Sequence, residues 1–375
     1  MKKYLIFLLS LTACTENLNS VQVVDLKISP EFKIDLSATE NYSSTNHQSF
    51  PLSDDSFLIF NDFGRSIDTV KVGVKGGRAI KGNEVPNEGP WGIQNINFFQ
   101  PTDKGMAFMD QYSFYLPSDY GLKKLEINDS RFGLTFPSSM PLINVTNRYF
   151  KFLDDESTSS TVLLSSRGKS KLDKSESLEL TSFDLEKLNI KKFKFEFSSK
   201  IEDHRIEFQG ERFFLSSAVY PALLSVNDRI IISYAYMNLI QIFDLNSETS
   251  FDVKPHSYNY KDERAKPDNK GLIRNRKEFI EKSSLWHSDV TFGPIASLDN
   301  GMFCRLIKKA KIEGKRGDII FELFDKNFNK TGEATILDGS KFLTLYYMPL
   351  GKQLFVKAYD QPDEDQLSYH LISLE

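Results

Sequence analysis

Residues 227 to 254 read NDRIIISYAYMNLIQIFDLNSETSFDVK, which is an apolar run, a turn, a second apolar run and a short return. Asn227 and Asp228 are turn formers, and the β-branched Ile230, Ile231 and Ile232 that follow have stiff χ1 angles suited to a pleated surface. Leu239 to Leu245 alternates, with Leu239, Gln241 and Phe243 on one face and Ile240, Ile242 and Asp244 on the other. It predicts a second strand that is apolar on nearly both faces. Asn246 to Thr249 form a polar turn, and Phe251 to Val253 return as a short third strand.

The same order recurs from SFLIFND (56–62), GMAFMDQ (105–111), TVLLSSR (161–167), GMFCRLI (301–307) and QLFVKAY (353–359), which with the first unit makes six. Apolar stretches upstream, such as Ile93 to Phe99 and Ala218 to Val226, are placed to add an innermost strand to each unit. Six four-stranded units predict an all-β six-bladed β-propeller, with a long β-sandwich as the alternative. Val21 to Leu36 holds two strand-like runs broken at Pro30, and one of them is expected to complete the last blade and hide its edge. Three second runs end in Phe-Asp (183–184, 243–244 and 324–325), an aromatic that packs followed by an Asp that starts a turn.

The first runs start at 56, 105, 161, 229, 301 and 353, and such uneven spacing means inserted loops. The longest insertion, 254–285, carries nine Lys or Arg against five Asp or Glu, and Leu272, Ile273, Phe279 and Ile280 in it recur at helical spacing. Successive antiparallel strands put the turn after each first run on the face where blades connect, and the insertion enters that face. A shared ligand ring is therefore expected from Asn61, Asp110, Arg167, Tyr234, Tyr236, Arg305 and Tyr359, with Asp62 and Lys357 beside them. The competing reading makes them ordinary solvated strand ends.

Lys2 and Lys3 precede the apolar stretch Tyr4 to Leu9, an export signal too short to span a bilayer. It ends in Leu-Thr-Ala-Cys at 11–14, which resembles the lipobox of bacterial lipoproteins. The resemblance implies removal of residues 1–13, acylation of Cys14, a tether over 14–20 and a propeller over 21–375. The expected address is the cell envelope, lipid-anchored to the outer membrane with the side left open. Cleavage would remove two lysines and leave 45 basic against 51 acidic residues, a balance that does not suit nucleic-acid binding. Cys304, the remaining cysteine, sits in an apolar strand and reads as a small buried hydrophobe.

The Gly-rich stretch 73–93 lacks the Gly-Lys-Ser/Thr ending of a phosphate loop. Its Glu88-Gly89-Pro90-Trp91-Gly92-Ile93 segment, together with Phe-Gly-Pro-Ile at 292–295, resembles the Glu-Gly-Pro-x-Gly stretch of six-bladed β-propeller lipoproteins of Bacteroidota, a family of unknown function. That resemblance implies a fold and an address rather than a reaction.

His204 and His287 could each act as a base or ligand, but the five histidines have no ligand-like spacing and read as surface or strand-end residues. Asp325, Asn327 and Asn329 mimic a calcium loop, with Lys330 where glycine is required. No catalytic set, metal or cofactor is expected. The function classes that stay open are a lipoprotein whose propeller binds a protein or glycan and an exported propeller hydrolase or lyase acting on a polysaccharide.

Overall fold

The computed structural model describes residues 22–37, 49–126 apart from 74, 75, 97, 103, 111 and 112, then 131, 150–153, 161–169, 176–184 and 189–199, and 201–374 apart from 212, 213, 217–220, 268–272, 300, 312–316 and 362–364. Along the strands from 150 to 196, side chains are described only at Lys191, Phe193 and Glu196. The expected export signal, Cys14 and the whole of the expected tether lie outside the described residues.

Strand Ser56–Asn61 shows why these sequences form blades. Phe57 and Ile59 pack with Phe355 and Leu350 on one side, while Leu58 packs with Phe99 and Phe108 on the other. Both faces are covered, so the run is apolar throughout rather than alternating. Arg229–Ser233 repeats the arrangement, with Ile230 and Ile232 turned towards Phe193 and Ile231 towards Phe303 and Phe324. The core is thus divided into apolar slices between successive sheets, as a propeller requires.

The sheets follow one another along the chain. Blade 1 comprises Ser49–Ser53, Ser56–Asn61, Ser66–Gly73 and Gly76–Ile80. Blade 2 comprises Phe98–Thr102, Gly105–Met109, Ser113–Ser118 and Gly121–Glu126, and blade 3 Phe150–Leu153, Thr161–Lys169, Glu176–Asp184 and Asn189–Glu196. Blade 4 comprises Ala222–Val226, Arg229–Ser233, Ile240–Asp244 and Thr249–Val253. In blade 5 the innermost position is split into Thr291–Phe292 and Ala296–Ser297, followed by Phe303–Lys308, Ile319–Phe324 and Lys330–Ile336. Blade 6 has Phe342–Leu350, Gln353–Ala358 and Gln366–Leu374, and the N-terminal strand Phe32–Asp35 supplies its outer edge. The expected all-β six-bladed propeller is the fold observed, and the sandwich is not.

The N-terminal segment does more than complete one blade. Ile34 pairs with Leu367 of the last strand and with Gly77 at the outer edge of blade 1, while Leu26–Ile28 pairs further along the last strand. Gln22 and Val23 then run parallel to Lys330–Ile336 of blade 5. Both runs flanking Pro30 are therefore used, and the strap spans the outer edges of blades 5, 6 and 1.

Two of the three Phe-Asp pairs form local caps, as the turn reading requires, and the side chains of Phe183 and Asp184 lie outside the described residues. Asp244 Oδ1 accepts from the backbone N–H of Asn246 and Ser247 at 3.0 and 2.8 Å, and Asp325 Oδ1 accepts from those of Asn327 and Asn329 at 2.8 and 2.9 Å. Both glycine-containing stretches are also structural. Leu122 N–H donates to Pro90 O at 2.8 Å and Ile93 N–H to Pro86 O at 2.8 Å, so residues 86–93 wedge between blades 1 and 2 with Ile93 in their shared core. At Gly293, a Cβ would lie 2.7 Å from each of Leu306 O, Thr344 O and Tyr347 Oη. Only glycine allows the inner strands of blades 5 and 6 to approach this closely.

Candidate functional site

The basic insertion folds back over blade 4 before it reaches blade 5. Asn238 N–H donates to Asp262 O at 2.6 Å and Arg264 N–H to Tyr236 O at 2.8 Å, which lays residues 262–264 across the turn at 234–239. A helix follows over Arg276–His287, its N-terminus capped by Asn275 Oδ1, which accepts from the N–H groups of Lys277 and Glu278. The expected helix is present, but its anchors differ from the expected set. Trp286 is buried with Ile206, Phe208 and Ile273, Phe279 packs against them, and Ile280 faces solvent; Leu272 lies outside the described residues. Trp286 Nε1–H donates to Ala265 O at 3.0 Å, tying the end of the helix to the start of the insertion.

This crossing decides the fate of the expected ring. Both tyrosines are fully buried rather than open at a rim, Tyr236 where Arg264 bonds to its carbonyl and Tyr234 against Phe197 and Ser198 after blade 3. Tyr234 Oη–H donates to Gln241 Oε1 at 2.6 Å, and Gln241 Nε2–H to Glu196 O at 2.8 Å, joining blade 4 to blade 3. Asn61 is buried and caps its own turn, its Oδ1 accepting from the N–H groups of Phe63 and Gly64. Asp110 does the same for Ser113 N–H at 2.6 Å and also accepts from Tyr115 Oη–H at 2.6 Å. Arg167 pairs with Leu178 within blade 3, and its side chain lies outside the described residues. Asp62 is exposed, and burial lowers the pKa of the half-buried Lys357. The expected ring residues with described side chains do not converge on one open site.

Arg305 is a blade-interior residue because its strand runs on to Lys308. Arg305 is 1% and Glu322 0% exposed, and Arg305 Nε–H donates to Glu322 Oε2 at 2.7 Å. Lys330 Nζ lies 2.6 Å from Glu322 Oε1, Tyr260 Oη–H donates to that same oxygen, and Arg305 also donates to Asn238 Oδ1. Burial alone would raise the Glu322 carboxyl, but Arg305 and Lys330 outweigh it and hold the pKa below the ordinary carboxylate value.

Among the ring residues whose side chains are described, Tyr359 reaches an open site. It lines a cleft of about 290 Å³ on the connection face, between blades 5 and 6 and under the C-terminal end of the helix. The strand Phe342–Leu350 loses register with Gln353–Ala358 between Phe342 and Tyr347, and the resulting bulge turns Thr344, Leu345 and Tyr346 into the cleft. Ser284, His287 and Ser288 come from the helix end, Thr291, Lys308 and Lys311 from blade 5 and its loop, and Arg264 from the insertion. No Asp or Glu is among the described residues lining it.

Arg264 forms the deepest wall, at 1% exposure. Its Nε–H donates to Val290 O at 2.9 Å, one terminal nitrogen reaches Thr291 Oγ1, and the guanidinium carbon sits 4.5 Å over the Trp286 ring. The other terminal nitrogen, Nη1, is buried without a hydrogen-bond partner. Burial lowers the Arg264 pKa to about 10, so it remains charged at pH 7. The protein wall beside His287, with Arg264 and Lys308 next to it, lowers that ring's pKa to about 4, so it is neutral at pH 7 although its outer edge is exposed. Arg264, Lys308 and Lys311 are therefore the charged groups lining the cleft, with the Asp289 carboxylate acting on Arg264 from outside that lining.

His204 is a core residue rather than a surface one. It is 2% exposed and stacks on Tyr236 at 4.0 Å with 15° between the planes. Burial, followed by Lys266, lowers its pKa to about 4, outweighing Asp203 and the Glu263 carboxylate 3.4 Å from Nε2. The unfolded chain takes up this proton near pH 6.5, so the stability His204 contributes is fully present above about pH 6.5 and is lost as pH falls towards 4. Acidification from pH 7 to pH 5 should cost about 2 kcal/mol through this residue. His204→Phe, which keeps the stack, should remove that part of the dependence and leave the part carried by His287. Urea midpoints at the two pH values check this, and an unchanged dependence in the variant would remove His204 as its source.

A family model described as Domain of unknown function (DUF4221) matches residues 19–335. The chain belongs to that family. The DUF4221 match begins just before the strap and runs through blade 5 to the end of its outer strand. Among solved structures, YCF48 bound to D1 peptide is 11% identical, with 96% of this chain and 99% of that one covered at a TM-score of 0.43. A luciferin-regenerating enzyme is 9% identical (92% and 95% covered, TM-score 0.38), and the PQQ-bound aldose sugar dehydrogenase of Streptomyces coelicolor is 13% identical (94% and 99% covered, TM-score 0.37). No curated protein matches the chain.

Sequence reading passed over Arg264, Lys308, Lys311 and Tyr346. The rule that selected strand ends would have chosen Lys308 had the run been ended at Lys308 rather than at Ile307. Arg264 carries no local signal, because its depth comes from contacts with residues more than twenty positions away.

Proposed function

We propose that this DUF4221 protein is an exported, lipid-anchored lipoprotein of the cell envelope whose propeller is a binding module for an acidic protein or glycan, held on the connection face. One observation carries the reading: a cleft lined by Arg264, Lys308 and Lys311, with no carboxylate among its described lining residues, in a chain that is acidic as a whole. A buried guanidinium nitrogen without a partner is uncommon, and an incoming anion would satisfy it. Glycoside hydrolysis with paired carboxylates finds no such pair among these lining residues.

The anchor rests on the lipobox-like tetrapeptide ending at Cys14. Cys14→Ser should abolish fatty-acid labelling and move the protein out of the detergent-extracted pool while leaving its melting temperature unchanged, since Cys14 precedes the first described strand. Equal labelling of parent and variant would defeat the lipoprotein reading. For binding, partners captured from envelopes should elute as salt screens the cleft, and Lys311→Glu should capture less. Arg274, Arg276 and Lys277, the basic residues around the start of the helix, sit at its opposite end, roughly 15 Å from the cleft. Their joint replacement by Ser should retain capture; equal loss in the two variants would place the site elsewhere.

A further inference from the structure

We infer that the cleft between blades 5 and 6 takes an acidic sugar, a pyranose ring carrying a carboxylate or sulfate, with the oxyanion seated against Arg264 and the ring lying on the tyrosines at the mouth. This rests on the binding-module reading and specifies the ligand class of the same site.

Three features select this class. The first is charge at the floor: Arg264 is 1% exposed, with Nη1 buried and unpartnered, and Lys308 and Lys311 lie above it. Two of the three guanidinium nitrogens are already committed to Val290 O and Thr291 Oγ1, which fixes the plane of the group before any ligand arrives. A pre-set guanidinium favours an oxyanion, whose charge-assisted hydrogen bonds are stronger than neutral ones.

The second is the mouth. Tyr346 and Tyr359 are 59% and 46% exposed there, and Leu345 is exposed beside them. The apolar C–H face of a pyranose covers such aromatic surface, while its hydroxyls meet Ser284, Ser288, Thr291 and Thr344 around the wall. The third is size. A cleft of about 290 Å³ accommodates one ring-sized group rather than a run of side chains from an extended acidic peptide. The bulge at residues 343–346 that shapes the mouth interrupts the strand pairing of blade 6, and such interruptions recur where a side chain must be aimed at a site.

Trp286 reports directly on the site because the Arg264 guanidinium lies over its ring. In the full-length protein in detergent, with the other tryptophan changed as Trp91→Phe, fluorescence should respond saturably to a uronate-containing oligosaccharide or to a sulfated one, the two arms telling carboxylate from sulfate. A neutral oligosaccharide of equal length should give no response. Tyr346→Ala and Lys311→Ser, both at exposed positions, should each weaken binding about tenfold with an unchanged melting temperature. If a polyglutamate peptide binds with the same sensitivity and neither acidic sugar does, the ligand class is overturned and the acidic-partner reading stands. If no anionic probe binds in a Lys311-dependent way, both fall. Equal binding of neutral and acidic sugars would overturn the role of Arg264.

Discussion

Glu322→Gln is expected to remove about 3–5 kcal/mol of folding stability, far more than the loss of an exposed charge pair. Its carboxylate is 0% exposed and stands between Arg305 at 2.7 Å and Lys330 at 2.6 Å. Gln keeps the shape but removes the charge, leaving the Arg305 guanidinium buried among Phe292, Phe324 and Asn238 without its counter-ion. Lys330 retains Glu333 and suffers less. Removing one partner of a buried pair strands the other, whereas removing both leaves no uncompensated charge. Arg305→Met combined with Glu322→Leu should therefore recover much of the loss. Urea unfolding of Arg305→Met, Glu322→Leu and the double variant measures this as a cycle, and additive losses there, or a cost below about 1 kcal/mol for Glu322→Gln, would show that the pair is not coupled.

The sign of the pH effect follows from the same network. Because Arg305 and Lys330 hold the folded Glu322 pKa below its ordinary value, the stability it contributes is present above that ordinary value and is lost as pH falls through the lowered one. This loss lies at lower pH than the window set by His204.

The fold was readable because each blade is sandwiched between two others. Runs such as Ile230 to Ile232 and Leu239 to Leu245 are apolar on both faces, and this separates an inner blade strand from the half-wet strand of an open sheet. The strap was readable because Phe32 and Ile34 alternate with Lys33 and Asp35, the pattern of a strand with one face on the core. The insertion helix was visible as a period, but the residue that fixes it, Trp286, lies nearly two turns beyond the spacing used to find it.

The site was less legible because exposure at strand ends is set by what crosses them. Tyr234, Tyr236 and Tyr359 each follow a strand, yet Phe197 and Ser198 pack on the first, Arg264 bonds across the second, and the third stays 46% exposed. That difference depends on pairings such as Arg264 with Tyr236, which are distant in sequence and have no local signature. Tyr346 was hidden for another reason. In strand alternation it reads as one more residue of an inner strand, and only the lost register against Gln353–Ala358 turns it outward.

Deleting residues 15–36 should unfold the propeller or lower its melting temperature drastically, whereas deleting residues 15–20 should change almost nothing. Phe32, Ile34 and Leu36 are 5%, 0% and 1% exposed and pack with Phe57, Phe355 and Leu367 where blades 1 and 6 meet. Burying each such side chain contributes about 1.5–3 kcal/mol, so three together approach the roughly 5–15 kcal/mol that holds a whole domain folded. The deletion also uncovers the edges of Gln366–Leu374 and Gly76–Ile80, strands joined by nothing else once the strap is gone. A ring opened there would expose the slice of core between first and last blades, so aggregation on warming should accompany the loss. Adding a peptide of residues 22–37 to the long deletion should restore part of the melting temperature, since an extended peptide can refill a vacated strand position. Equal melting temperatures for the two deletions, or no gain from the peptide, would mean that the ring closes through the blades alone.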